Sequence, residues 1–221
     1  MKHYDPSPAR NLNQPVSAYV VRHVGGFRVL VHREVLMHPA EAKEALRELD
    51  TQIRQIIRAV PPQPLQALRR VRIWLEWENN PRGAAEYHPS AEWLREHGYN
   101  PEKAGGVEIN NARNFVRWSR REQPWMLLHE LAHAYHHQVL GYENRMVLIA
   151  YQHAMRRGLY EQVEYIRGGR QKAYAATNVQ EYFAELSEAY FGKNDFYPFT
   201  RDELARHDPV GHRMIERAWN G

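Results

Sequence analysis

The sequence predicts an α+β domain, and three observations lead to this fold class. Two Val-rich segments, residues 17–24 and 27–35, flank a pair of glycines, which is the pattern of a β-hairpin with a tight turn. Apolar residues recur at helical spacing between residues 39 and 60. Helical patterns also dominate the chain after residue 122. We therefore expect a small mixed sheet packed on the helix that carries His129 and His133, followed by a mostly helical C-terminal half.

The length and composition indicate one core-forming unit with a short N-terminal extension. The chain has 221 residues, 43% of them hydrophobic, which is enough for a single core. Residues 1–15 contain three Pro and few apolar side chains, so we expect a flexible N-terminal arm there. We expect residues 16–221 to form a single domain with an N-terminal α/β lobe, 16–122, and a helical lobe, 123–221.

Composition also excludes several classes of protein. The absence of Cys excludes disulfides and thiolate metal ligands. The sequence has no apolar run of about 18 residues, so we expect no membrane span. The net charge is +4 and no nucleic-acid-binding motif accompanies the Arg residues, so we expect no nucleic-acid partner. The first residues contain no apolar signal region, so we expect a cytoplasmic protein if the chain is complete, and an exported one if a signal peptide has been removed.

Between these landmarks the chain alternates extended and helical patterns. The further elements expected are helices at 39–60, 91–97, 144–158, 201–206 and 209–219, strands at 71–78 and 84–88, and a hairpin within 160–174. Pro39 fits the first turn of the longest helix, and three Pro residues at 61–64 predict that a rigid turn follows it. Ser90 is a suitable cap for the helix at 91–97, which Gly98 ends.

The residues of greatest chemical interest lie on the helix expected between residues 125 and 138. His129, Glu130 and His133 have the H-E-x-x-H spacing. Residues four apart lie on one face of an α-helix, so the two His can share one metal ion. Glu130 is placed to reach a water on that metal, which is the arrangement of a zinc hydrolase. A histidine-rich surface helix is the alternative interpretation, because His136 and His137 extend the same run.

A second helix, expected within residues 174–191, supplies carboxylates. Glu181 and Glu185 are one turn apart, and Thr177 followed by Gln180 is the signature of a capping box at the helix start. A catalytic zinc site combines two His, one carboxylate and an open position for water. Glu181 is the candidate third ligand, and Glu185 is the candidate acceptor for the second ring N–H of a zinc-bound His. Two solvated glutamates on an amphipathic helix are the alternative.

These two segments resemble the catalytic domain of anthrax lethal factor and the clostridial Pro-Pro endopeptidases. The shared features are the H-E-x-x-H motif, the seven-residue step from Tyr174 to Glu181, and the Glu-aromatic-aromatic-Ala-Glu string that ends at Glu185. The resemblance covers about residues 125–191. It implies a zincin-like, gluzincin-type metallopeptidase domain that acts on a peptide or protein substrate.

The resemblance also implies roles for individual residues. One Zn²⁺ per chain would be bound by His129, His133 and Glu181. Glu130 would be the general base, and Tyr174, delivered by a flap that contains two glycines, would donate a hydrogen bond to the transition state. Glu185 would accept a hydrogen bond from the second ring N–H of a zinc-bound His.

A strand just before the zinc helix forms the upper edge of the cleft in the peptidases that this chain resembles. By this resemblance the free backbone groups of Val107, Glu108, Ile109 and Asn110 would pair with an extended substrate. An internal strand without substrate contact is the alternative.

The expected function is hydrolysis of peptide bonds by a zinc-activated water. Zinc lowers the pKa of its water towards about 7, and Glu130 accepts the proton as the water attacks the peptide carbonyl. Two other interpretations stay open from the residues alone. One is a zinc hydrolase of another amide or acyl substrate, and the other is a catalytically silent zinc-binding interaction module. The oligomeric state does not follow from the sequence.

Overall fold

A five-stranded mixed sheet, a two-stranded hairpin and ten α-helices make up residues 11–220, the part of the chain that this computed structural model describes. The α+β class expected from the sequence is therefore confirmed. Residues 1–10 of the expected arm lie outside the described residues. Residues 11–15 have no helix or strand, and the backbone carbonyls of Leu12 and Gln14 accept hydrogen bonds from Asn100 at 3.3 and 2.7 Å.

The N-terminal half contains the whole five-stranded sheet. Its elements are β1 (Tyr19–Val24), β2 (Phe27–His32), α1 (Arg33–Leu36), α2 (Pro39–Ala59), α3 (Pro62–Leu68), β3 (Ile73–Leu75), β4 (Glu86–Tyr87), α4 (Ala91–Glu96), β5 (Val107–Ile109) and α5 (Ala112–Arg121). The hairpin and the long helix were both expected. Gly25 and Gly26 have φ angles of 58° and 88°, which a tight primed turn requires and glycine adopts without strain.

The C-terminal half is mostly helical, as predicted. Its elements are α6 (Met126–Tyr135), α7 (Arg145–Arg156), β6 (Val163–Glu164), β7 (Arg170–Gln171), α8 (Val179–Phe191), α9 (Arg201–His207) and α10 (Pro209–Asn220). A π-helical turn, His136–Leu140, extends α6 as far as Gly141. The strands β6 and β7 pair antiparallel and form the expected hairpin.

The rigid turn expected at 61–64 is wrong, because α3 begins there with Pro62. A proline lacks only a backbone N–H that the first turn of a helix does not use, so two Pro residues are tolerated at this helix start. The Pro-rich segment therefore separates two helices and does not replace the second one.

The strand order is β1-β2-β3-β5-β4, with β2, β3 and β5 parallel and the outer pairs antiparallel. The expected edge strand Val107, Glu108, Ile109 and Asn110 is therefore wrong, because β5 lies between β3 and β4. Its three strand residues are completely buried. A three-residue strand buried on both faces has no sequence pattern that separates an interior position from an edge position. The edge on this side of the sheet is β4.

One continuous hydrophobic core lies between the sheet and the helices. It contains Val29 and Ile73 from the sheet together with Leu131 from α6, Phe183 from α8 and Trp219 from α10. Both halves of the chain thus contribute to the same core, and α6 runs through it with contacts to α2, α3 and α8. Within residues 11–220 no helix combines the length and the apolar character that crossing a bilayer requires.

The other face of the sheet carries a buried network of charges. Lys103 is fully buried, and its Nζ lies 2.7 Å from Glu76 Oε1 and 2.6 Å from Glu108 Oε1. The second oxygen of Glu108 lies 2.7 Å from His88 Nε2, and the Tyr19 hydroxyl donates to Glu76 at 2.5 Å. Each buried charge therefore has an opposite charge or a hydrogen-bond partner, as burial of ions requires.

Candidate metal centre

The helix α6 places the H-E-x-x-H residues inside the protein. All ten of its residues are buried, including His129 and His133, so the interpretation as a histidine-rich surface helix is wrong. The residue at its N-cap position, Trp125, makes no capping hydrogen bond with its side chain. The side chain of Gln52 on α2 accepts a hydrogen bond from the backbone N–H of Leu127 at 2.9 Å instead, which satisfies one of the orphan donors of the first turn.

The helix α8 lies against α6 and presents its acidic face to the two His. Its cap is Asn178, whose side chain accepts a hydrogen bond from the N–H of Glu181 at 2.8 Å, so the capping box expected at Thr177 is wrong by one position. Thr177 ends the preceding 3₁₀ turn instead. Asn and Thr are both good cap residues, and tertiary packing decides which of two neighbours begins the helix.

The structure brings His129, His133 and Glu181 together as one potential metal-binding group. The Oε2 atom of Glu181 lies 3.0 Å from His129 Nε2 and 3.2 Å from His133 Nε2. Burial would raise the pKa of Glu181, but its hydrogen bonds to both imidazoles outweigh this and hold the pKa well below its usual range. Glu181 is therefore a carboxylate that faces two ring nitrogens.

The second ring nitrogen of His129 contacts a residue that the sequence did not identify. Its Nδ1 lies 2.7 Å from Glu188 Oε1, whereas the nearest oxygen of Glu185 is 3.8 Å away. The expected role of Glu185 as the acceptor for this N–H is therefore wrong, and Glu188 has that position. Glu188 lies seven residues after Glu181, which is two helical turns and the same face, so helical periodicity could have indicated it.

A cavity of about 500 Å³ opens in front of the three potential ligands. Its lining combines carboxylates, aromatic rings and a few other side chains: Ala85, Glu86, Tyr87, Pro89, Gln123, His129, Glu130, His133, Tyr142, Tyr174, Gln180, Glu181, Glu185, Asp195 and Phe196. We refer to this cavity as the cleft. The six residues expected around the metal (His129, Glu130, His133, Tyr174, Glu181 and Glu185) therefore line the same cleft, whereas the four residues of the expected edge strand do not.

Glu130 lies on the wall of the cleft next to the two His. Its side chain is buried, and burial raises the pKa of this carboxyl, although the neighbouring His129 and His133 oppose the rise. A carboxylate with a raised pKa accepts a proton more readily than an ordinary one. The chemistry available to Glu130 is therefore that of a base.

Tyr174 lies in a 3₁₀ turn, Tyr174–Ala176, directly after the β6–β7 hairpin. Its side chain is 49% exposed and lines the cleft, and its ring centroid is 6.3 Å from that of His129. An aromatic residue that only packs between a hairpin and a helix would be buried. Tyr174 is instead half-exposed and borders the cleft.

The edge strand β4 and the preceding Ala85 form another part of the cleft wall, to which Glu86 and Tyr87 both contribute. This strand is held against the end of α6 by polar contacts. The Tyr87 hydroxyl lies 2.8 Å from His137 Nδ1 and accepts a hydrogen bond from Gln138 Nε2 at 3.0 Å. His137 and Gln138, which follow the motif, thus fix β4 relative to α6, and sequence reasoning missed this wall.

Comparisons with known proteins identified no relative of this chain. No protein-family model matches the sequence, and no curated protein or solved structure is significantly similar to it. Function is therefore inferred from the chemistry of the cleft.

Proposed function

We propose that this protein is a zinc-dependent endopeptidase with a zincin-like domain. The observation that carries the proposal is the convergence of His129, His133 and Glu181 from two helices at the floor of one cleft. Glu130 and Tyr174 line the same cleft and supply the two further groups that hydrolysis of a peptide bond requires.

The three side chains fit a zinc ion. Two imidazoles and one carboxylate are the donor set of catalytic zinc sites, and tetrahedral ligands at zinc bond lengths are about 3.3 Å apart. The separations of 3.0 and 3.2 Å between the carboxylate oxygen and the ring nitrogens are close to this value. Glu188 receives the other N–H of His129, which would fix the ring tautomer with Nε2 free to bind the metal.

The metal and two side chains of the cleft have separate roles in the proposed hydrolysis. Zinc would supply Lewis-acid chemistry, which lowers the pKa of a coordinated water towards about 7. Glu130 accepts the proton of the attacking water and passes it to the leaving amine. The Tyr174 hydroxyl donates a hydrogen bond to the oxyanion that develops on the peptide carbonyl.

The outer edge of β4 is the surface best suited to hold an extended peptide. This strand is the last in the sheet and pairs with β5 on one side only within the described chain. Ala85, Glu86 and Tyr87 face the cleft. Backbone groups at a free edge can pair with a peptide as an added strand, which would lay the substrate across the metal site.

Cleavage of a mixed peptide library, read by mass spectrometry, tests the proposed function. We expect cleavage within the peptides by zinc-loaded protein and loss of cleavage after chelation of the metal. Hydrolysis of other amides or esters with no peptide cleavage would favour the alternative hydrolase. Zinc binding without hydrolysis of any substrate would favour a silent interaction module.

Replacing Tyr174 by Phe removes the hydroxyl and keeps the ring. If the hydroxyl donates to the oxyanion, kcat should fall by roughly tenfold to a thousandfold, because the bond forms mainly in the transition state. KM and zinc content should stay nearly unchanged. Steady-state kinetics on one cleaved peptide provide the measurement, with Tyr142→Phe, another tyrosine of the cleft, as the matched variant. A wild-type kcat for Tyr174→Phe would refute the role.

Replacing Glu188 by Ala removes the acceptor for the His129 N–H. We expect zinc affinity to fall by roughly tenfold to a hundredfold, because loss of such an outer partner leaves the ligand ring unoriented. The matched variant Glu185→Ala should lose less affinity, since its carboxylate is 3.8 Å from the ring nitrogen and Glu188 is 2.7 Å away. Competition titrations with a zinc chelator measure both values. A larger loss in Glu185→Ala would contradict the assignment.

A further inference from the structure

A second cavity adjoins the cleft along the edge strand β4. It has a volume of about 340 Å³ and is lined by Glu86, Tyr87, His88, Pro89, Ser90 and Trp93. Three of these residues, Glu86, Tyr87 and Pro89, line the cleft as well, so the two cavities meet at β4 and directly after it. We call the second cavity the side pocket. A molecule bound along β4 in the cleft can therefore extend into the side pocket.

The backbone of β4 is arranged to lead an extended peptide towards the side pocket. The N–H of His88 donates to the Gly106 carbonyl at 3.0 Å, and its own carbonyl accepts from the Gly105 N–H at 2.7 Å, so His88 bonds towards β5. Neighbouring residues of a strand turn their backbone groups to opposite sides, so Tyr87 turns its N–H and C=O to the free edge. Pro89, two residues further on, has no N–H to continue this pairing. A peptide paired with β4 would therefore leave the strand where the side pocket lies.

The polar side chains of the side pocket have partners within the protein. Glu86 Oε1 accepts a hydrogen bond from Asn110 Nδ2 at 2.7 Å, and His88 Nε2 lies 2.7 Å from a carboxylate of the buried charge network. Ser90 Oγ accepts the backbone N–H of Trp93 at 3.1 Å. The other three lining residues each carry a ring. The side pocket therefore suits an apolar ligand better than an ionic one.

Trp93 is the feature that indicates an aromatic ligand. Its side chain is 45% exposed, and among the Phe, Trp and Tyr residues of 11–220 only Tyr174, at the cleft, is also classed with the exposed side chains. The ring of His97 stacks on that of Trp93, with centroids 4.0 Å apart and planes at 18°. This contact supports the indole before a ligand arrives. A supported, exposed Trp offers a large apolar contact area at little cost in conformational entropy.

On the basis of the proposed function, we infer that the side pocket is a subsite for an aromatic side chain of the peptide substrate, with Trp93 as the residue that determines the preference. The peptide pairs with the free edge of β4 at Tyr87 and leaves it at Pro89, where one of its side chains enters the side pocket. There its ring packs against the indole of Trp93. Because pairing with β4 fixes the register of the peptide, this side chain stands at one fixed position relative to the scissile bond.

A positional scan of one cleaved peptide tests the inference. Each position near the cleavage site is varied among Phe, Ala and Lys, and kcat/KM is measured for each peptide. We expect one position at which Phe exceeds Ala by at least about tenfold, because the side pocket removes the whole ring from water, and at which Phe also exceeds Lys. A scan without such a position, or one in which Lys exceeds Phe there, would overturn the inference.

The protein side of the test uses Trp93→Ala. The quantity compared is the ratio of kcat/KM for the Phe and Ala peptides within each variant, so the fraction of active protein cancels. We expect this ratio to fall at least about fivefold in Trp93→Ala. Met37→Ala is the matched control, because Met37 is 77% exposed and lines neither cavity, and it should keep the wild-type ratio. An unchanged ratio in Trp93→Ala would overturn the inference.

Binding measurements separate this inference from the proposed function. The probes are short labelled peptides of Ala and Ser in which one Phe is moved along the chain. Their fluorescence anisotropy is measured on zinc-loaded Glu130→Gln protein, which lacks the proposed base, and on the same protein with Trp93→Ala added. A Phe preference that depends on Trp93, with no hydrolysis of any peptide by the wild type, would leave the subsite in place and refute the peptidase. Cleavage by the wild type with no Phe preference in either measurement would overturn the subsite and leave the peptidase in place.

Discussion

Replacing Glu130 by Gln is expected to lower peptidase activity by at least about a thousandfold while zinc stays bound. Gln has nearly the same shape as Glu and cannot accept the proton of the attacking water. Glu130 lines the cleft beside the His ligands, and the proposed metal-binding group consists of His129, His133 and Glu181 without it. The substitution therefore tests the role of Glu130 as a base without removing a metal ligand.

The measurement pairs kcat/KM on a cleaved peptide with the zinc content of the same preparation. Glu96→Gln, which changes an exposed glutamate on α4, is the matched control and should keep wild-type activity. Activity of Glu130→Gln within tenfold of wild type would contradict the base. Loss of zinc together with activity would contradict it too, since Glu130 would then be needed to hold the metal.

Replacing Lys103 by Met is expected to destabilise the fold by roughly 3–5 kcal/mol. Within residues 11–220 Lys103 is the only Lys or Arg that pairs with Glu76 and Glu108, so the substitution leaves two buried carboxylates that repel each other. For a chain of this length such a loss corresponds to a fall in Tm of roughly 6–20 °C. Thermal or urea unfolding provides the measurement.

Lys43→Met is the control for this substitution, because Lys43 is exposed on α2 and Met is a similar helix former. It should change stability by no more than about 0.5 kcal/mol. Equal stability of the Lys103→Met and Lys43→Met variants would show that the buried ion network contributes nothing.

Because of the same network, we expect the stability of the folded protein to depend on pH. Burial would raise the pKa of Glu108, but His88 and Lys103 outweigh this and lower it from 4.5 to about 2. A carboxyl with a lowered folded pKa stabilises the protein fully above its ordinary pKa. This contribution is lost as the pH falls from about 4.5 towards 2, where the folded group also binds a proton.

Local patterns predicted the parts of the site that lie within single helices. The spacing of His129 and His133, and the presence of Glu181 on the next acidic helix, follow from helical periodicity alone. The structure brings these residues into one cleft. The class of fold, the first hairpin and the long helix α2 were predicted for the same reason, because each depends on residues close in sequence.

The features that the sequence missed depend on contacts between distant segments. Pairing between distant segments sets the order of β3, β5 and β4. The local pattern therefore led to the wrong assignment of the cleft edge to β5, whereas β4 forms that edge. The cap of α6 comes from Gln52 on another helix, 75 residues away in the chain. Asp195 enters the cleft from the loop after α8, which no local pattern indicates. Glu188 is the exception, since its position on α8 was readable from periodicity.

Zinc content of the purified protein tests the central claim most directly. Elemental analysis should find about one zinc per chain in the wild type and little or none in His133→Ala, because the loss of one of three ligands removes most of the affinity. His23→Ala, which changes an exposed histidine on β1, should keep its zinc. A wild-type protein that binds no zinc, or a His133→Ala variant that retains the full amount, would contradict the metal site formed by His129, His133 and Glu181.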